Sequence, residues 1–137
     1  MRKLTMLLLT LLSFTGVVRA QEEDVKAKIG EKCYATLQAA INAAEDGKTV
    51  TLLKDVTASE IIKIDKAITL DGNDKTLTST AGRAINVTGA DGVTIKKLNI
   101  DAKGERGINI IQNATNVTIS GVNVSAKNYA VNAASSA

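Results

Sequence analysis

The chain has 137 residues, 17 basic and 14 acidic, with one Cys, one Phe and neither His, Trp nor Pro. Without His, a His-based triad, a His zinc site and a His acid/base are excluded, and one Cys cannot close an internal disulfide. The basic excess lies entirely in Arg2, Lys3 and Arg19, so residues 21–137 are neutral overall and give no support for nucleic-acid binding.

Arg2 and Lys3 open a positive segment, and residues 4–18 are mostly apolar around Leu7-Leu8-Leu9 and Leu11-Leu12. Val18-Arg19-Ala20 then presents the small residues a signal peptidase reads. The apolar run is short for a bilayer span and breaks at Thr15-Gly16. The pattern predicts a signal peptide over 1–20, a secreted or cell-surface product, and membrane contact only through that peptide.

Residues 21–35 are polar, with Gln21-Glu22-Glu23-Asp24 at their start, and read as a flexible leader or a loose first strand. Cys33 is expected there as a small buried residue, with a reactive or intermolecular thiol as the alternative. A helix is predicted over 36–47. Leu37, Ala40, Ile41 and Ala44 make one apolar stripe, Thr36 is a suitable N-cap, and Gly47 follows Asp46 as a stop. Such a short Ala-rich helix is marginal alone in water and must lay its stripe on something.

From Thr49 the periodicity changes to two and repeats. Val50-Thr51-Leu52, Ile62-Lys63-Ile64, Ile68-Thr69-Leu70, Ile85-Asn86-Val87, Val93-Thr94-Ile95, Leu98-Asn99-Ile100, Ile108-Asn109-Ile110, Val117-Thr118-Ile119 and Val122-Asn123-Val124 all read apolar-polar-apolar. Asp71-Gly72 and Gly89-Ala90-Asp91-Gly92 punctuate them. Equivalent positions recur with a period of about 24 residues, as in Ile68 to Val93 to Val117 and Asn86 to Asn109 to Asn132. Equivalent strands then stack in parallel, one coil per period, as a three-faced all-β solenoid of about three to four coils.

Expected core residues are Ile68, Leu70, Ile85, Val87, Val93, Ile95, Leu98, Ile100, Ile108, Ile110, Val117 and Ile119. Thr51, Thr69, Thr94 and Thr118 should form one outward ladder, and Asn86, Asn109 and Asn132 another. The helix is expected to cap the first coil. Over 48–137 the solenoid looks unfinished, because Val131-Asn132-Ala133 opens a further strand. An uncovered parallel edge there should self-associate or continue into further coils.

The stretch from Tyr34 through Thr36-Leu37-Gln38-Ala39-Ala40-Ile41 to Val50-Thr51-Leu52-Leu53, then Ala67-Ile68-Thr69-Leu70-Asp71-Gly72 and Val93-Thr94-Ile95-Lys96-Lys97-Leu98, resembles the start of pectate-lyase-like right-handed parallel β-helix proteins. The resemblance covers roughly residues 34–132. It implies a right-handed β-helix with an N-terminal capping helix. It leaves function open, because the superfamily holds polysaccharide lyases, glycoside hydrolases, adhesins and non-catalytic surface modules.

The face that the resemblance makes active carries Asn86, Asn109 and Asn132 at mid-strand. Glycoside hydrolysis needs carboxylates there, and a calcium-dependent lyase needs an acidic cluster plus a base. Three amides supply neither, so no catalytic residue, metal ligand or cofactor is assigned. Arg83 and Arg106, one period apart, read either as a pair gripping a uronate or sulfate or as solvated turn residues, Arg106 pairing with Glu105 or Asp101. Asp71, Asp74, Asp91 and Asp101 read as turn formers. A single Thr per rung argues against an ice-binding plane. Sequons begin at Asn86, Asn113, Asn116 and Asn123 and follow from the strand grammar itself.

Two functions are open at this point. One is a secreted or cell-surface module, an adhesin-like carbohydrate binder without catalysis, whose ligand candidates are Arg83, Asn86, Arg106, Asn109 and Asn132 and whose partner is a polysaccharide or host-surface glycan. The other is the N-terminal part of a polysaccharide lyase or hydrolase whose catalytic coils lie beyond residue 137.

Overall fold

In the computed structural model residues 24–134 are described, so the signal peptide expected over 1–20 lies outside the described residues. Each Val, Ile or Leu of the period-two segments turns inward and each Thr, Asn or Lys outward. The strands are short. In chain order they are β1 (Ala27–Ile29), β2 (Lys32–Tyr34), helix α1 (Leu37–Ala43), β3 (Thr49–Leu52), β4 (Val56–Ala58), β5 (Ile62–Ile64), β6 (Thr69–Asp71), β7 (Thr76–Ser79) and β8 (Arg83–Thr88). There follow β9 (Thr94–Lys96), β10 (Asn99–Ala102), β11 (Arg106–Ile111), β12 (Thr118–Ser120), β13 (Asn123–Ser125) and β14 (Tyr129–Ala133).

They form three sheets. The first runs β12-β9-β6-β3-β1-β2, the second β13-β10-β7-β4, and the third β14-β11-β8-β5. From β3 onward every pairing is parallel and joins strands one coil apart. The described residues are therefore an all-β solenoid of about four turns with one short helix. The strands β4 and β7 complete the second sheet. They are hard to read from sequence because each carries a single large aliphatic residue, Val56 and Leu77.

The core is a set of vertical stacks. Val50, Leu70, Ile95 and Ile119 align in the first sheet, and Ile62, Ile85, Ile108 and Val131 in the third. Nine of the twelve expected core residues are buried, whereas Ile110, Val117 and Ile119 are only half-buried. Val117 and Ile119 belong to the last coil of the described residues, and Ile110 is covered only by the small Ala133. Exposure along the third-sheet stack is 4% at Ile62, 0% at Ile85 and Ile108, and 44% at Val131.

The expected Thr ladder is corrected by one rung. Thr69, Thr94 and Thr118 stack, but below them stands Thr49, not Thr51. Thr51 stacks with Asp71. The step from Val50 to its partner Leu70 is shorter by several positions than the steps from Leu70 to Ile95 and from Ile95 to Ile119. The period of the later coils therefore cannot be extrapolated into the first.

Two glycines mark where one coil meets the next. A Cβ on Gly72 would lie 2.6 Å from Leu98 Cα, and one on Gly107 would lie 2.7 Å from Ala130 O and against Val124 Cγ1. The backbone itself occupies the side-chain space, so only Gly fits without a shift. The turn after β6 uses local polar chemistry instead: Asn73 and Asp74 take positive φ, and Asp71 Oδ1 accepts from Asn73 N at 2.9 Å.

The first coil is covered in two ways. Residues 26–34, which read from sequence as a leader or loose strand, form an antiparallel hairpin whose β1 also pairs antiparallel with β3. This closes the outer edge of the first sheet. Helix α1 starts at the expected N-cap, Thr36 Oγ1 accepting from Ala39 N at 3.0 Å, but ends at Ala43 because Ala44 turns extended. Leu37, Ala40, Ile41 and Ala44 are buried, and α1 packs on β1, β2, β3 and β5. Gln38 closes the β5 edge as a strand would, accepting from Lys63 N at 2.8 Å and donating to Lys63 O at 3.0 Å. Lys66 Nζ donates to the helix-end carbonyls of Asn42 and Ala44.

Cys33 departs from expectation. It is exposed on β2, the outermost strand of the first sheet, not buried. An edge strand packed on one side only has no interior to offer its second face. Among the described residues no helix is long and apolar enough to cross a membrane.

Candidate functional site

The third sheet is the most regular part of the molecule. Ile62, Ile85, Ile108 and Val131 follow one another at a constant interval, with no insertion between coils. Residues that share this interval must stand directly above one another. Two outward columns follow from it.

The first column is Lys63, Asn86, Asn109 and Asn132. Asn109 Nδ2 donates to Asn86 Oδ1 at 3.1 Å, and Asn132 Nδ2 donates to Asn109 Oδ1 at 2.7 Å. Each amide thus bonds the amide of the next coil. Asn109 is 1% exposed, and its amide is committed on both sides; Asn86 and Asn132 are half-buried. The ladder holds the coils in register, and only its ends present polar atoms to solvent. A second, shorter stack runs through the second sheet. There Asn123 Nδ2 donates to Asn99 Oδ1 at 2.9 Å and Asn99 Nδ2 to Asp74 O at 3.2 Å.

The second column is Arg83, Arg106 and Tyr129, the first residues of β8, β11 and β14. Spacing pairs the two arginines in the sequence; Tyr129 follows Arg106 at the same interval but has no assigned role there. Both arginines are half-buried, and the Nε of each is closed off from solvent with no acceptor. The Arg106 guanidinium carbon lies 5.6 Å from the centroid of the Tyr129 ring, and Tyr129 is 50% exposed. Neither partner considered for Arg106 takes it. Asp101 pairs with Lys103 at 2.7 Å, and Glu105 is exposed and in no ion pair among the described residues. Among the described residues no carboxylate lies within 4.0 Å of either arginine.

Parallel rungs are about 4.8 Å apart. Two like charges at about that spacing repel by roughly 1 to 4 kcal/mol, depending on how far water screens them. The corner leading into this column adds Lys127, while Lys103, one coil below it, is paired with Asp101. The edge is thus basic, with one aromatic face beside it.

The acidic residues sit elsewhere. Asp91 is exposed in the corner before β9, where its Oδ1 accepts from Thr115 Oγ1 at 2.7 Å and Asn116 Nδ2 at 2.6 Å, tying the third coil to the fourth. The Thr115 hydroxyl first, and then the Asn116 amide, hold the Asp91 carboxyl below its usual range. A depressed folded value makes this tie fully present above the ordinary Asp pKa of about 3.9, and it is lost as pH falls through the lower folded value. The expected outcome is a loss of hydrogen-exchange protection of the Thr115 to Thr118 amides as pH falls through that lowered folded value, with that acid step absent in Asp91→Asn. An identical acid profile in the variant would contradict the assignment.

Among the described residues no three His, Cys, Asp or Glu side chains are grouped to hold a metal ion. A cleft of about 310 Å³ between the start of α1 and the β4–β5 turn is lined largely by apolar groups, including Leu37, Val56, Ala58 and Ile62, with Lys26 and Glu60 at its margin. It lies in the first coil at the foot of both columns: Ile62 precedes Lys63, and Glu60 stands one interval before Arg83.

The arrangement can bind anions, by charge and by planar two-pronged hydrogen bonding, and offers no paired acid and base. No protein-family model, no curated protein and no solved structure matches the chain.

Proposed function

We propose that the chain is a secreted or cell-surface β-helix module of the pectate-lyase-like kind that binds an anionic glycan on the third-sheet edge without cleaving it. The observation that carries this reading is the in-register pair Arg83 and Arg106, two half-buried guanidiniums without a carboxylate partner. A uronate or sulfate group bridging them removes their repulsion and accepts from their terminal nitrogens. Tyr129 continues the column and supplies a flat apolar surface for a sugar ring. A linear polyanion repeats its charge along one direction, as this column does. The N-terminal apolar segment supports export, and the amide ladder supports a role in holding register over one in chemistry.

The experiment is calorimetric titration with polygalacturonate, alginate and a sulfated glycosaminoglycan, with dextran as the neutral control. Binding is expected for the polyanions alone and should weaken as salt is raised. Arg83→Ala with Arg106→Ala should cut affinity at least about tenfold, which is about 1.4 kcal/mol. Replacement of both by Lys should restore binding only in part, because charge is kept and the two-pronged geometry is lost. No unsaturated product or new reducing end should form. Equal binding of dextran, or turnover abolished by either Arg substitution, would overturn the proposal.

A further inference from the structure

We infer that Glu60 and the cleft beside it form a subsite for an uncharged sugar, so that the glycan held by the third-sheet edge carries a neutral unit next to its anionic ones. This subsite rests on the anionic-glycan reading of the same edge and fixes the order of units along the bound chain. The register that places Ile62 below Ile85 and Lys63 below Asn86 carries Glu60, by the same interval, below Arg83. The column therefore runs Glu60, Arg83, Arg106 and Tyr129: one negative rung, two positive rungs and an aromatic face.

Glu60 is exposed and in no ion pair among the described residues. Neither Arg83 above it nor Lys63 in the neighbouring column comes within 4.0 Å of its carboxylate. Lys26, also at the cleft margin, is taken by Asp24 at 2.6 Å. The Glu60 carboxylate thus stands about one rung, about 4.8 Å, from the anion that Arg83 holds. A further uronate or sulfate at this rung meets a like charge at close range. A neutral sugar meets none, and its hydroxyls donate to the carboxylate.

The cleft supplies the remaining surface. Its volume of about 310 Å³ is at the small end for ligand pockets, which run from about 300 to 1,000 Å³. Leu37, Val56, Ala58 and Ile62 give it an apolar wall suited to the C–H face of a ring, and Glu60 lies at its rim beside the column. Selection is then two-sided: hydroxyl groups are attracted and a third anion is repelled.

Calorimetric titration with two polygalacturonates of equal length tests this, one fully de-esterified and one partly methyl-esterified, so that neutral units stand beside anionic ones. Esterification lowers total charge, so non-specific attraction alone favours the de-esterified chain. The unsubstituted protein is expected to prefer the partly esterified chain by about fivefold or more. Glu60→Gln should remove the preference, and Glu60→Lys should reverse it. Glu31→Gln, in the exposed turn between β1 and β2, should leave it unchanged. Both positions are exposed, and far-ultraviolet circular dichroism should be the same for every variant. Equal affinity for the two polymers, or a preference kept in Glu60→Gln, would overturn the subsite and leave the Arg83 and Arg106 reading standing. Binding of neither polymer would overturn that reading, and the subsite with it.

Discussion

Ile95→Asp is expected to abolish the cooperative unfolding transition. Ile95 is fully buried in β9, with Leu70 below it and Ile119 above. A carboxylate there has no partner and no water, and the penalty is several kcal/mol. Domains of this kind are stable by only about 5–15 kcal/mol. Because a solenoid is held by contacts between neighbouring coils, the loss should begin locally. Hydrogen exchange should show the third and fourth coils unprotected first, with the first two retained longest under α1. A variant that melts with the unsubstituted midpoint and cooperativity would mean that the Leu70, Ile95 and Ile119 stack is not the core.

Ile41→Ala should cost about 2–5 kcal/mol, the range for truncating a fully buried large aliphatic side chain. Ile41 is 1% exposed and belongs to the helix that packs on β1, β2, β3 and β5. A seven-residue helix has little stability of its own, so loss of its main anchor should release it as a unit. Gln38→Ala is a useful contrast. It removes two hydrogen bonds to Lys63, but Lys63 is exposed and water can replace them, so the cost should be about 0.5–1.5 kcal/mol. Chemical denaturation of both variants checks the order. If Ile41→Ala stays within about 0.5 kcal/mol of the unsubstituted chain, α1 does not cap the solenoid. Removal of residues 24–47 should go further and produce aggregation, because the edges of β3 and β5 then lie open over exposed core.

The candidate site is partly legible in the sequence. Arg83 and Arg106 share the period of the Asn column, and that spacing alone implies that they stack. What the spacing does not tell is who else occupies the corner. Asp101 is nearer to Arg106 in sequence than many ion-pair partners are, yet Lys103 takes it. Tyr129 carries the same period, but its meaning depends on Arg106 lying over its ring, a side-chain arrangement that no pattern of residue types specifies. In the sequence the Asn column reads as a row of ligand candidates. Burial of Asn109 shows instead that its amide is consumed within the stack.

The sequence by itself determined the kind of structure. Alternation of apolar and polar residues sets which way each strand faces, and repetition at a near-constant period sets which strands become neighbours; both are properties of the chain read in one dimension. It also determined the helix start, because Thr36 and the Leu37, Ala40, Ile41 and Ala44 stripe are local features. Tertiary structure decided the rest. The hairpin at 26–34 has no strong period of its own and exists because β3 offers an edge to pair with. Thr49 replaces Thr51 in its ladder because Val50 stacks inward on Leu70, which puts Thr49 under Thr69 and Thr51 under Asp71. Ile110, Val117 and Ile119 have the residue types of a core, but burial depends on what lies above them, and hydrophobic free energy is gained only from the area that a neighbour covers.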